Sequence, residues 1–130
     1  MSRFTPSITK EFNFDGDVVK VKFNRLRRID FFRLSEYFGK SQKELEELGA
    51  EKQSVFLALI EEILLDIIIS FSGLTIEDEE IKYSKGDNAD RLKEVFSQMY
   101  FLDLTQSIIV NAYNNSVLKY DDDGKEQEKK

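Results

Sequence analysis

The chain contains no cysteine, no histidine and no tryptophan. Without thiolate or imidazole it has no means to build a zinc or iron–sulfur site of the usual kind. The same absences exclude disulfides, thiol nucleophiles and every histidine-dependent triad. The six glycines, at 16, 39, 49, 73, 86 and 124, are all isolated and sit where turns or helix ends are expected. No glycine-rich loop is present to cradle a phosphate. What remains is 130 residues, 41% hydrophobic and 34% charged, a balance typical of folded domains. These exclusions point away from the common enzyme mechanisms and toward a binding or assembly role with no cofactor.

Long apolar runs are missing as well. The opening Met1–Pro6 offers no signal-peptide core. The most apolar stretch, Val55 to Phe71, carries Glu61, Glu62 and Asp66, which are costly in hydrocarbon. No membrane partner is therefore expected, and the expected compartment is the cytoplasm.

Charge is divided unevenly. Residues 1–40 hold nine basic and five acidic side chains, a net of +4, whereas residues 41–130 hold ten and twenty, a net of −10. A basic head on an acidic body provides surfaces of opposite sign for steering or head-to-tail contact. The overall net charge of −6 argues against nucleic acid as a partner.

The pattern predicts a mainly α-helical single domain over residues 1–120 with an N-terminal β-hairpin at about 9–24, then a charged, disordered tail at 121–130. Phe12 and Phe14 alternate with polar residues before Asp15-Gly16, and Val19, Val21 and Phe23 alternate after it. Alternation on both sides of Asp-Gly is a strong hairpin signal, because that turn needs positive φ. A hairpin with so large an apolar face must pack on a helix or pair with another chain. Helices follow: Ile29 to Phe38, with Ile29, Phe32 and Tyr37 at helical spacing; one opened by the capping box Ser41–Glu44; and a long one from Glu51 to Ser72. Leu74 to Lys85 reads as an acidic loop around Glu77–Glu80, with Ile81–Tyr83 as a possible short strand. Asp87 and Asp103 are expected to cap two closing helices.

The long helix supplies the first candidate site. On helical geometry Glu61, Leu65, Asp66 and Ile69 share one sector, opposite an uninterrupted apolar arc of Phe56, Ile60, Ile63, Leu64, Ile67 and Phe71. That mixed face suits either a central buried helix or a patch for self-association and partner capture. The second candidate is basic. Arg25, Arg27, Arg28 and Arg33 with Lys20 and Lys22 place six positive charges within fourteen residues. Such a cluster either guards the hairpin edge or docks on an acidic protein surface. Asp121–Asp123 with Gly124 lacks the alternating ligands of a calcium loop, so no metal is expected there.

The layout resembles a known family. A Phe-x-Phe-Asp-Gly-Asp-x-Val-x-Val hairpin at Phe12–Val21 leads into Arg-Leu-Arg-Arg at Arg25–Arg28, then a small acidic helical body and a Lys/Glu-rich tail. This is similar to the tail assembly chaperones of long-tailed phages, and the likeness is best over residues 8–38. The resemblance implies a homo-oligomerising, non-enzymatic protein of the host-cell cytoplasm that coats the tape-measure protein, an elongated helical client, before the tube forms around it. It also implies a second, longer product made by frameshifting. The competing expectations are a small acidic inhibitor that mimics nucleic acid toward a host enzyme, and a structural subunit of the virion.

Overall fold

A computed structural model describes residues 5–116; the charged tail at 121–130 lies outside the described residues. The hairpin forms as expected, with β1 at Ser7–Phe14 and β2 at Asp17–Asn24. Asp15 and Gly16 both take positive φ, 48° and 85°, the geometry that joins twisted strands with the fewest residues. Val19, Val21 and Phe23 are fully buried, while Lys20 and Lys22 face outward.

The fold is not mainly α. It is an α/β fold built on a four-stranded antiparallel sheet in the order β1-β2-β3-β4. The unexpected strand is β3, Ile68–Ile76, and β4, Glu79–Ser84, extends the short strand expected at Ile81–Tyr83. The expected acidic loop is thus largely a second hairpin, whose tight turn puts Glu77 and Asp78 at φ 52° and 65°. The expected long helix is shorter than its apolar run. The helix α3 covers Ala50–Ile67, and the chain passes into β3 at Ile68 without a loop. Ile67-Ile68-Ile69 is a run of three β-branched residues. Such side chains are stiff at χ1 and fit a pleated ladder better than another helical turn. The open edge of β2 supplies that ladder, with Phe23 opposite Ile68 and Val21 opposite Phe71.

Between Phe71 and Leu74 the β3–β4 register shifts. Phe71 and Leu74 are both buried although three apart, so the bulge at Ser72-Gly73 restores the inward face. Gly73 has φ +96°, and its amide donates to Glu80 Oε2 at 3.0 Å.

The remaining helices are α1, Arg28–Phe38; α2, Gln42–Glu46; α4, Asp90–Ser97; and α5, Leu102–Asn114. A 3₁₀ turn at Met99–Phe101 joins the last two. One apolar cluster unites the inner face of the sheet with α1, α3, α4 and α5 through Phe23, Leu34, Ile63, Phe71, Leu92 and Ile108. The outer face of the sheet carries Thr9, Glu11, Lys20, Lys22 and Lys82, all exposed.

Two expected caps are placed differently. Asp87 accepts from Ser84 N–H at 3.0 Å inside a turn, and Asn88 Oδ1 accepts the Asp90 N–H at 2.8 Å. Asp103 lies within the first turn of α5 rather than before it. The capping box of α2 does form: Ser41 N–H donates to Glu44 Oε1 at 3.1 Å and Glu44 N–H to Ser41 Oγ at 3.2 Å. The first of these bonds chiefly holds the Glu44 carboxyl below its usual value. Its contribution is complete above the ordinary glutamate range and is lost as pH falls through the depressed value. In Ser41→Ala, which keeps that backbone N–H and removes only the hydroxyl, an NMR titration is expected to move Glu44 part of the way back toward its ordinary value; a full return would assign the shift to the hydroxyl instead.

Candidate functional site

The start of α1 follows from charge. Asp30 sits in its first turn, where the helix end favours an anion, and its carboxylate is buried. Burial of that charge is compensated from both sides. Arg27 Nε lies 3.1 Å from Asp30 Oδ2 and Arg33 Nη1 lies 3.5 Å from Oδ1. Arg33 Nη1 also reaches Glu62 Oε2 at 3.1 Å, and Arg27 Nε lies 3.9 Å from Asp66 Oδ2. The network ties α1 to α3. It holds the Arg27 guanidinium above its ordinary range, first through the Asp30 hydrogen bond and charge and then through Asp66.

Arg25 works at a different junction. Its Nε donates to Thr5 O at 2.7 Å and its Nη1 to Asn115 O, which joins the N-terminal segment to the end of α5. Beside it, Tyr113 stacks on Phe31 at 4.6 Å and its hydroxyl hydrogen-bonds Ser35 Oγ at 2.7 Å. Arg28 is exposed at the start of α1. The basic segment is thus mostly structural, with Arg28 turned to solvent.

With α1 pinned on both flanks, its remaining side faces outward. Ile29 and Phe32 are 62% and 61% exposed, one helical turn apart, flanked by Arg28, Arg33 and Glu36. The surface continues into a shallow groove between α1 and α3, lined by Tyr37, Val55, Ala58 and Leu59, with Glu62 at its edge. Val55 is itself 57% exposed.

The candidates on the long helix are dispersed. Glu61 and Leu65 are half-buried on α3, and Leu65 packs against the core. Asp66 is exposed; its backbone oxygen accepts from Lys85 Nζ at 2.9 Å. Ile69 belongs to β3, so it shares no helix face with Leu65. The exposed apolar side chains near this region are Ile29 and Phe32 on α1 and Val55 in the first half of α3, while Val18, Met99, Tyr100 and Val110 are exposed elsewhere. Ile29 and Phe32 had the right spacing in the sequence, but periodicity alone does not distinguish their stripe from that of Phe31, Leu34 and Phe38, which turns inward.

A second surface lies at the far end of the sheet. There Phe14, Leu74, Ile76, Tyr100 and Phe101 line a cleft of about 330 Å³ rimmed by Asp15, Asp17 and Glu77. Tyr100 OH donates to Asp15 Oδ2 at 2.8 Å, and Thr75 N–H donates to Asp17 Oδ2 at 2.8 Å. The hydrogen bond to Asp15, and then that carboxylate's charge, raise the Tyr100 hydroxyl above its ordinary value. The phenol therefore stays protonated, and this contact is lost only as pH rises through the raised value.

Among the described residues no three potential ligands gather into a metal-holding set, and no helix is long and apolar enough to cross a membrane. No family model, no curated protein and no solved structure matches the chain.

Proposed function

We propose that the chain is a non-enzymatic assembly chaperone of the phage-tail type, which coats an elongated helical client such as the tape-measure protein. The observation that supports this reading is the exposed apolar stripe of Ile29 and Phe32, continued by Val55 and Ala58 on the neighbouring helix. Apolar side chains one turn apart, on a helix fixed by ion pairs, suit an amphipathic client helix lying alongside. Arg28, Arg33, Glu36 and Glu62 at its edges offer both charge signs to the polar flanks of such a client. The net charge of −6 favours solubility of a loaded complex. The hairpin and arginine segment that carry the family likeness are also the elements that present and orient this stripe.

The test is co-expression with a phage tape-measure protein as client. Wild-type chain is expected to keep the client in the soluble fraction. Ile29→Ser/Phe32→Ser is expected to lose about 3 kcal/mol of apolar contact, roughly a hundredfold in affinity, while far-UV circular dichroism stays unchanged. Equal client solubility with both chains would remove the proposed surface. A client equally soluble without the chain would remove the function.

A further inference from the structure

The stripe of Ile29 and Phe32 has a direction. Arg28 stands in the first turn of α1 and Glu36 in its last, eight residues apart. At about 1.5 Å per residue they lie roughly 12 Å from one another along the helix axis. On helical geometry Arg28, Ile29, Phe32 and Glu36 fall within an arc of about 100°, and all four line the same shallow surface. Glu36 also borders the groove that continues to Val55 and Ala58 on α3.

The charges on this face are not all free to act on a partner. Arg33 Nη1 lies 3.1 Å from Glu62 Oε2 and 3.5 Å from Asp30 Oδ1, so its charge is already matched. Arg28 and Glu36 are both exposed, and among the described residues neither side chain makes a hydrogen bond or ion pair. The face therefore presents one cation at one end, one carboxylate at the other and apolar side chains between. The dipole of α1 acts in the same sense, positive beside Arg28 and negative beside Glu36.

A helix laid along this face meets Ile29 and Phe32 with its own apolar side chains, and its flanking residues meet Arg28 and Glu36. A like charge at either end costs about what an opposite charge gains, so the two ends discriminate by sign. We infer that the surface selects a bipolar helix. Such a partner is an amphipathic segment with a carboxylate and a lysine or arginine about eight residues apart, on either side of an apolar pair. It binds with its carboxylate at Arg28 and its cation at Glu36. The selection rests on the client-binding reading of the stripe, and adds to it the charge pattern of the client and its direction along α1. The net charge of −6 would by itself favour basic segments, whereas this arrangement ranks the bipolar kind above acidic and basic ones alike.

The probes are three synthetic helical peptides with one common apolar stripe, labelled for fluorescence anisotropy. Two flanking positions, spaced as Arg28 and Glu36 are, carry Glu and Lys, Glu and Glu, or Lys and Lys. Residues on the opposite face keep the net charge of all three equal. Wild type is expected to bind the Glu/Lys peptide about fivefold tighter than either of the others, because an exposed attraction replaces an exposed repulsion. Arg28→Glu leaves two anionic ends and is expected to bind the Lys/Lys peptide best. Glu36→Lys leaves two cationic ends and is expected to bind the Glu/Glu peptide best. Both positions are exposed, and circular dichroism checks that the variants are folded. A spin label at the Glu end of the bipolar peptide is expected to broaden the amide signals of Arg28 and Ile29 more than those of Glu36 and Tyr37. Equal affinity for the three peptides, wild-type preference in either folded variant, or even broadening along α1 would overturn the selection and leave the apolar stripe standing. No saturable binding of any peptide, or binding that Ile29→Ser/Phe32→Ser leaves unchanged, would overturn the selection and the stripe as a helix-docking surface together.

Discussion

Replacing Gly73 by alanine is expected to cost on the order of 4 kcal/mol, a large share of the stability of a domain this size. Two effects add. The residue has φ +96°, a left-handed conformation that a side chain adopts only under strain. A Cβ built there would sit 2.1 Å from the carbonyl oxygen of Val18 and 3.3 Å from Val19 Cα. Those are backbone atoms of β2, so relief requires the central strands to separate rather than a side chain to swing away. Gly16 and Gly86 separate the two effects. Both have positive φ, 85° and 101°, with nothing within 4 Å of the point where an alanine methyl would sit. Alanine there is expected to cost only about 1 kcal/mol, from backbone conformation alone. Urea denaturation of the three variants is the measurement. A Gly73→Ala midpoint no lower than that of Gly16→Ala would show that β2 and β3 do not approach as described.

The second large effect concerns Asp30, and the asymmetry between the acid and its partners matters more than the size. Removing the acid in Asp30→Ala frees Arg27 and Arg33, which are 66% and 44% exposed and turn readily to water. The loss is then about 2 kcal/mol, that of two charge-assisted hydrogen bonds discounted because both arginines are well exposed to water. Removing the arginines in Arg27→Ala/Arg33→Ala leaves a carboxylate that is only 2% exposed with neither cation beside it. An unpaired buried charge is costlier than a lost pair, so this variant is expected to have the lower denaturation midpoint of the two. Adding Asp30→Asn to it is expected to recover part of the loss. The urea midpoints of wild type and these three variants form the test. If the double arginine variant were no less stable than Asp30→Ala, the arginines would not be what makes the buried carboxylate tolerable.

Both effects bear on function through geometry. The bulge at Gly73 sets the register that closes the sheet over Phe71 and Leu74, and the Asp30 network fixes α1 against α3. The network holds Ile29 and Phe32 away from the core. The proposed client surface is therefore maintained through Asp30, a buried residue that does not lie in it.

Local chemistry was legible in the sequence wherever it needs only neighbouring residues. Asp15-Gly16 between alternating strands determined the first hairpin, because few residue pairs accept two positive φ values in succession. Ser41 and Glu44 determined the start of α2, because the capping box closes within a single turn. The absence of cysteine and histidine set the limits on chemistry before any fold was considered.

What the sequence left open was settled by pairing across the chain. Ile68 to Ser72 is apolar enough for a helix or a strand, and only the open edge of β2, more than forty residues earlier, decided for a strand. That choice turned a mainly α expectation into an α/β fold and separated Ile69 from Leu65. Likewise α1 carries two apolar stripes, and periodicity ranks neither above the other. Tyr113 stacking on Phe31, and the salt bridges from Arg27 and Arg33, selected the inner one and left Ile29 and Phe32 in solvent. Burial is a property of the partners that a face meets, and those partners are distant in sequence.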